Sequence, residues 1–571
     1  MSKAPPAEFR FAPIAEAYAR DVVAGKIPNC KWVKLACKRH LDDLKASADP
    51  DYPYKFSVKL AERVCTFVEM LPHVKGEWAQ DRKLFKLSPW QVFILACIFG
   101  WVRKRDDRRR FRVAYIKIPR KNGKSLLAAA IGLYMLTADD EQGAEVYAGA
   151  TTRKQAMEVF GPAKAMLSRT PELQEAAGAE ARVSVLIVEA TLSKFEPIIG
   201  NPGDGSSPSC ALIDEYHEHD TPNQVDTMQT GMGARREPLL LKITTAGFNL
   251  AGPCYDDELF AQKVLEGTID DPQLFALMYG IDDTDDWASP GVLMKANPNY
   301  GVSVDAEFLE SQQRQAVINA GHQTKFRTKH LNEWCGAGRA WMPLAQWKAA
   351  ADSALTIDEL VARRCDCWVS LDLASKLDLC AEQILFREML GGLPHFYVFG
   401  RYWLPGQTVR DAGKNKQAYE RWVRDGWLVE TDGATIDYDT ICEQVVSDIK
   451  QCQAGELVYD PFNAGHLQQM VSAEVGDSVE VIEFVQKPWN FAVPMDEVLA
   501  ALKDGRFHHD GNPITQWCMS NVVAKPAKKD MYSPGKEKPE QKIDGAVALF
   551  MAMARGVADI EPQGEPSVRW A

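Results

Sequence analysis

The residue types most specific about chemistry lie in Lys117-Ile118-Pro119-Arg120-Lys121-Asn122-Gly123-Lys124-Ser125. A glycine lets backbone amides close on an anion, an adjacent lysine reaches β- and γ-phosphates, and the next hydroxyl can ligate Mg²⁺. Gly123, Lys124 and Ser125 supply these parts in order, and Arg120, Lys121 and Asn122 complete a polar, basic turn. Ile118 stands where the usual phosphate loop has its first glycine. A second signal is Cys210-Ala-Leu-Ile-Asp214-Glu215, a small, apolar run ending in two carboxylates. Asp214 would hold Mg²⁺, often through water, and Glu215 would orient and deprotonate a water attacking a γ-phosphate. A third set is dispersed: Asp372 and Asp460 sit in or at the end of apolar runs, and Asp544 opens a hydrophobic helix. Converging carboxylates repel unless divalent cations lie between them, and two such ions can clamp the attacking and leaving oxygens of a phosphodiester. Asp378 is a fourth candidate beside Asp372.

These groups work only if the chain brings them together. Phe111 to Ile116 is mostly apolar with strand-favouring Val113 and Tyr115, and Leu126 to Leu136 is almost all helix-former. Strand, polar turn and helix in that order build a phosphate loop. Ligands of α/β sheets bind at strand C-termini, which would place Lys124 and Ser125 on the same edge as Asp214. Ala144–Ala150, Ser184–Ala190 and Leu239–Thr245 are further predicted strands, and a helix opens at Thr151–Gln155. Thr244 and Thr245 are either sensors beside the γ-phosphate or merely β-branched strand residues. Ser88 and Pro89 suit the N-cap and first position of an apolar helix, Val92 to Trp101. Gln91 there either belongs only to the helix start or reads an adenine edge through its amide.

The fold class expected is α/β, with a mainly parallel sheet in a phosphate-loop ATPase domain and a second domain with a mixed sheet. Five regions are expected: a helical extension over 1–80, the ATPase domain over 81–265, a helical lid or linker over 266–350, a nuclease domain over 351–560, and a tail over 561–571. The glycines at 336 and 338 loosen the chain near the boundary. In the second domain Cys367–Leu373, Ala381–Glu388, His395–Arg401 and Leu457–Asp460 are the predicted strands.

Bulk composition narrows the classes. A chain of 571 residues is too long for one core. Its longest apolar run, Phe93 to Val102, is about half of what a membrane helix needs. No membrane association is expected, and a start without an apolar signal core predicts a cytoplasmic protein. The thirteen cysteines show no CxxC pair and read as reduced core thiols. A formal charge of −12 argues against coating nucleic acid by bulk attraction. Two local basic clusters, the run Arg103 to Arg112 and Lys525, Lys528, Lys529, Lys536, Lys538 and Lys542, are either DNA contacts or solvated surface. His466, His508 and His509 have no ligand spacing and read as structural.

Together the motifs resemble the large terminase subunit of tailed bacteriophages over roughly residues 80 to 555. The likeness rests on Pro-Arg-Lys-Asn-Gly-Lys-Ser, Leu-Ile-Asp-Glu, His-Leu-Asn-Glu-Trp, Leu-Asp-Leu-Ala-Ser, Tyr-Asp-Pro-Phe-Asn and Lys-Ile-Asp-Gly-Ala in that order. That family's deviant phosphate loop lacks the first glycine and carries a basic residue before Asn-Gly-Lys, as Ile118 and Arg120 do here. The resemblance implies a viral DNA-packaging motor driven by ATP with Mg²⁺, and a ribonuclease H-like endonuclease that cuts concatemeric DNA. It implies Arg120 on the γ-phosphate in the same subunit, Gln91 on adenine, and Thr244 and Thr245 coupling hydrolysis to DNA movement. Asp372, Asp460 and Asp544 would hold two Mg²⁺ or Mn²⁺ ions. The implied partners are double-stranded DNA, a small terminase subunit, the portal protein and further copies in a ring, a pentamer. The implied place is the host cytoplasm, docked transiently on the procapsid. Arg153, Arg235 and Arg236 are candidates for an arginine acting on a neighbour's site. Two other readings compete: a helicase-like or transposition ATPase with a recombinase-type nuclease, and a capsid or portal adaptor that binds nucleotide without turnover.

Overall fold

The computed structural model describes residues 9–200, 203, 205–336, 340–373, 377–527 and 531–558, without the side chains of 320, 321, 462–464, 466 and 477. Lys528, Lys529, Ala374, Ser375, the tail 561–571 and the side chains of Asn463 and His466 lie outside the described residues. The chain divides into two compact units, Met1–Trp334 and Cys335–Ala571.

The first unit is built on an eight-stranded sheet. Its strands are β1 (Val113–Lys117), β2 (Glu145–Ala150), β3 (Ala179–Ala181), β4 (Leu186–Val188), β5 (Ser193–Ile199), β6 (Cys210–Asp214), β7 (Leu239–Thr244) and β8 (Leu274–Met278). Their spatial order is β8-β1-β7-β6-β2-β5-β4-β3. Neighbours from β8 to β5 are parallel, while β4 and β3 extend the sheet antiparallel. Every residue of β6, β7 and β8 is buried. A parallel strand covered on both faces reads as an unbroken apolar run, which is why β6 and β7 are visible in the sequence.

Two expectations are corrected here. In the stretch 184–190, the strand is only Leu186–Val188, and it pairs antiparallel. The strand beside β2 is Ser193–Ile199, where Lys194, Glu196 and Pro197 hide the pattern by supplying charges and a residue without an N–H donor. The region 266–350 is not wholly helical, because Leu274–Met278 hydrogen-bonds along β1. Five apolar residues in a row fit a strand or a helix segment equally well, and only the open edge of β1 decides.

The helices α1 (Phe11–Val23), α2 (Lys31–Ala46) and α3 (Val58–Glu69) precede the apolar helix α4 (Pro89–Gly100), and α5 (Lys124–Thr137) follows β1. Ser88 and Gln91 form a capping box at α4, with Pro89 inside the first turn. Phe93, Ile94, Leu95 and Ile98 are buried, each worth about 1.5–3 kcal/mol of transfer free energy, because α1 and α3 pack over α4. The N-terminal helices are thus integral to this unit. Tyr18 and Tyr279 share a 2.6 Å hydroxyl contact, and Arg39 donates to the carbonyls of Leu274 (2.9 Å) and Asp271 (2.8 Å).

Part of the Arg103–Arg112 run is interior. Arg109 pairs with Asp139 at 2.5 Å and Arg110 with Asp43 at 2.6 Å, both arginines being buried. The Arg110 guanidinium also lies over the rings of Tyr54 (4.4 Å) and Phe111 (4.8 Å). These two charges hold helices and strands together and are withdrawn from any DNA surface.

The second unit carries a mixed sheet of β9 (Asp366–Asp372), β10 (Cys380–Leu390), β11 (Leu393–Pro405), β12 (Val429–Thr431), β13 (Glu456–Tyr459), β14 (Glu480–Glu483) and β15 (Phe507–His509). The order is β12-β11-β10-β9-β13-β14, with β15 paired to β11. β9, β10 and β11 form an antiparallel meander, and β13 runs parallel to β9 on its other side. Alternation along β9 separates its two faces. Val369 and Leu371 join a core with Ile441, Val445 and Ile449 of the helix Tyr438–Cys452. Ser370, pointing the other way, donates to the Ala548 carbonyl (2.7 Å) of the helix Asp544–Gly556. Among the described residues no helix is long and apolar enough to cross a membrane, and most thiols are buried.

Candidate active sites

The C-terminal edge of the first sheet gathers the predicted nucleotide groups. Gly123 takes φ +83°, a left-handed conformation that glycine adopts without strain, and it starts α5 with Lys124 in the first turn. Lys121, at φ +71°, pays a steric cost for the same tight turn. Lys124 Nζ lies 2.5 Å from Glu215 Oε1 and 3.5 Å from Asp214 Oδ1. Ser125 Oγ donates to Asp214 Oδ2 at 2.8 Å. Burial pushes the Asp214 carboxyl above the usual range, against the pull of Lys124. Burial also opposes ionisation of Glu215, but Lys124 and then His217 hold its carboxyl below the usual range. An ammonium, a hydroxyl and two acids converging in this way can bind a phosphate–cation pair and keep one carboxylate ready to accept a proton.

The Asn122 side chain is engaged within the protein, which leaves its backbone N–H for an anion. Its side chain donates to the Pro119 carbonyl (3.1 Å) and to Asn297 Oδ1 (2.9 Å), and accepts from the Asn299 amide (3.0 Å). It is fully buried and clamps the loop onto the 297–299 segment. Ile118 is likewise interior, donating its backbone N–H to the Thr244 carbonyl at 3.0 Å. Arg120 is exposed, with its backbone N–H on the Lys329 carbonyl (3.1 Å) and its charge acting on Glu215. Gln91 accepts the Ser88 N–H at 2.9 Å through its carbonyl oxygen, and it lines a cavity of about 370 Å³ beside Lys121, Gly123 and Leu126.

Thr244 and Thr245 are fully buried at the end of β7. Thr244 Oγ1 accepts the His217 backbone N–H (3.0 Å) and sits 3.1 Å from His217 Nδ1. His217 Nδ1 is in turn 3.2 Å from Glu215 Oε2. Lys329 Nζ lies 3.1 Å from His217 Nε2. Burial, and then Arg120, lower Lys329 to about 8. His217 and Lys329 are the groups that sequence reasoning missed. Lys329 immediately precedes the His-Leu-Asn-Glu-Trp motif, in the stretch Phe326–Trp334, but its neighbour in space is 112 residues away in the chain. That stretch is anchored by the Arg327–Glu333 pair (2.7 Å) and by Asn332, which accepts the Ala246 N–H (3.0 Å).

The three arginine candidates separate by sheet polarity. Arg235 and Arg236 precede β7 and lie at the N-terminal edge, away from the loop; Arg235 donates to the Ser207 carbonyl at 2.6 Å. Arg153 begins the helix after β2, on the C-terminal edge, and is exposed.

In the second unit, Asp372 ends β9 and Asp460 follows β13, with Leu371 and Tyr459 in register. Asp544 opens the helix that Ser370 holds against the sheet. Burial first, and then the charges of Asp544 and Asp460, push Asp372 well above the usual carboxyl range. Burial and Asp378 raise Asp544 to about 6. Asp378 pairs with Lys542 at 2.5 Å, and Gln486 donates to Asp372 Oδ1 at 3.3 Å. Among the described residues no three acids, thiols or imidazoles are close enough to hold an ion as they stand. The carboxylates nevertheless raise one another's cost of ionisation, which a divalent cation would lower. His509 and His508 serve packing: His509 meets the Trp347 carbonyl at 2.8 Å, and His508 stacks on Tyr397.

A phosphate loop facing strand-end acids, followed in the chain by acids collected on a mixed sheet, defines the class of nucleotide-driven enzymes that also cut nucleic acid. Comparison with known proteins makes the class specific. Residues 89–263 match the terminase large subunit ATPase domain, and residues 268–559 match the terminase large subunit endonuclease domain. The chain belongs to the terminase large subunit family. It is an ATPase and endonuclease of DNA packaging and genome cutting, using nucleotide and divalent metal, which sets aside the helicase-like, transposition and adaptor readings. It is 44% identical over 363 residues to protein YmfN of Escherichia coli strain K12, covering 62% of this chain and 79% of that one. It is 25% identical over 511 residues to the terminase large subunit of Enterobacteria phage HK97, covering 88% and 97%. The crystal structure of the HK97 large terminase aligns with a TM-score of 0.43 at 24% identity, covering 87% of this chain and 99% of that one. The endonuclease match begins at 268, ahead of β8, yet β8 is a strand of the ATPase unit's sheet.

Proposed function

We propose that ATP with Mg²⁺ drives this motor from the site between Gly123 and Glu215. The observation carrying the reading is the continuous set of contacts from Ser125 through Asp214 to Lys124 and Glu215. Ser125 and Asp214 offer a hydroxyl and a carboxylate to Mg²⁺, which would neutralise charge on the phosphates. Lys124 moves from Glu215 to the phosphates, and Glu215 is then free to take a proton from the attacking water. Arg120 steadies the γ-phosphate, and the Gln91 amide faces the base. Thr244, through His217, connects Glu215 to the end of β7, which supports a role for Thr244 and Thr245 in passing hydrolysis on to movement. Arg153 is the arginine we assign to a neighbour's site, because it alone of the three lies on the loop's edge of the sheet.

Asp372, Asp460 and Asp544 would hold two Mg²⁺ or Mn²⁺ ions in the nuclease. Such ions would supply charge stabilisation to the attacking and leaving oxygens of the scissile phosphodiester. Gln486 orients Asp372, and Lys542 holds Asp378. The motor acts on double-stranded DNA as a homo-oligomeric ring, with a small terminase subunit and the portal as partners, in the host cytoplasm while docked on the procapsid.

Crystals soaked in Mn²⁺ test the second site directly: anomalous density among the three aspartates is expected, and its absence at saturation would remove the assignment. For the first site, Lys124→Ala and Glu215→Ala should abolish phosphate release while Mn²⁺-dependent plasmid cutting survives.

A further inference from the structure

We propose that the segment His73–Lys86, which precedes the ATPase-family match, is the aromatic wall of the nucleotide-base pocket, with Trp78 the ring on which the base stacks. The inference rests on the ATP reading of the phosphate loop. The cavity beside Lys121 and Gly123 is lined by His73, Trp78 and Phe85 and also by Val302 and Ser303. His73 stacks on Phe85 with centroids 4.5 Å apart, and Trp78 meets His73 edge-on at 4.7 Å. Trp78 remains 37% exposed, on the short helix Gly76–Gln80. An indole is costly to leave in water, and a flat π surface facing a cavity next to a phosphate cradle suits a nucleobase.

The wall is rigid rather than a loose tip. The His73 N–H donates to the Lys83 carbonyl (2.9 Å) and the Phe85 N–H to the Leu71 carbonyl (2.8 Å), closing the segment into a hairpin. Lys75 pairs with Glu158 at 2.8 Å, tying it to the helix Arg153–Ser168. Gln91 completes the pocket. Its carbonyl oxygen is held by the Ser88 N–H, so its amide nitrogen is left to donate to a ring nitrogen or carbonyl of the base. Gly123 and Trp78 line the same cavity, so a base carried by a triphosphate on the phosphate loop would enter the space that this wall borders. Stacking is indifferent to the identity of the base, so Trp78 contributes affinity for nucleotide over bare triphosphate.

The test uses the full chain and two probes with Mg²⁺, a non-hydrolysable ATP analogue and inorganic tripolyphosphate, measured by calorimetry. Trp78→Ala is expected to weaken the analogue by about tenfold and leave tripolyphosphate unchanged, with Trp78→Phe within about threefold of the parent. In turnover, the KM for ATP should rise for Trp78→Ala with kcat held within about twofold. Equal analogue affinity in Trp78→Ala and the parent, or parallel weakening of both probes, would overturn the proposal. Lys124→Ala separates this failure from the other one. It should weaken both probes, and if it changes neither, the phosphate-loop reading falls and the pocket with it.

Discussion

Lys124 Nζ sits 2.5 Å from Glu215 Oε1, so the ammonium of the phosphate loop and the carboxylate that follows β6 hold each other. The pairing explains how a half-buried acid stays ionised at a sheet edge. On the function proposed above, nucleotide binding and the freeing of Glu215 would be one event.

Glu215→Gln preserves shape and removes the carboxylate proposed as the base. Phosphate release should fall by about 10²–10⁴-fold while nucleotide binding persists. Steady-state release and equilibrium binding on the same preparation check this, and unchanged turnover would remove Glu215 from its role.

The nuclease should fail independently. Asp372→Asn or Asp544→Asn is expected to lose plasmid cutting and keep ATP hydrolysis, and a chelator should remove cutting from the parent. Mn²⁺ at 100 times its dissociation constant should stabilise the parent by about 2.7 kcal/mol and Asp372→Asn by much less, read as melting shifts. A full shift in the variant would contradict ligation by Asp372.

Lys329 supplies a pH dependence. Its pKa is lowered to about 8 by burial and by Arg120, so it is charged below pH 8 and neutral above. Only the charged form attracts a triphosphate. ATP affinity should therefore decline as pH rises through about 8, and Lys329→Met should flatten that limb. A KM profile from pH 7 to 9.5 for both proteins decides the point.

Gly545 is a packing requirement rather than a flexible joint. A Cβ there would lie 2.3 Å from the Tyr402 hydroxyl. Tyr402 cannot retreat, being buried and bonded to Gln383 (2.8 Å) and Thr515 (2.8 Å). Gly545→Ala should cost about 1–3 kcal/mol of stability and impair cutting by displacing Asp544. Tyr402→Phe removes the oxygen but leaves ring carbons 2.8 and 2.9 Å from the added Cβ, so the double variant should recover only part of the loss.

The candidate groups were legible in the sequence because each lies at a local transition that its own residues specify. Gly123 marks the tight turn, and the apolar run Cys210–Ile213 ends in Asp214. Ser88, Pro89 and Gln91 announce a helix start. Tertiary structure alone decided which partners those groups have. Asn122 read as part of a polar turn, and its side chain is also a clamp, because its neighbours at 297–299 are remote in the chain. Arg109 and Arg110 looked like surface and are buried in ion pairs. The strand Leu274–Met278 was ambiguous until the edge of β1 was there to receive it. Local sequence encodes conformation over a turn or a strand, whereas burial, ion pairing and sheet order depend on segments that meet only once the chain has folded. Lys329 beside His217 is such a meeting, invisible in either segment taken alone.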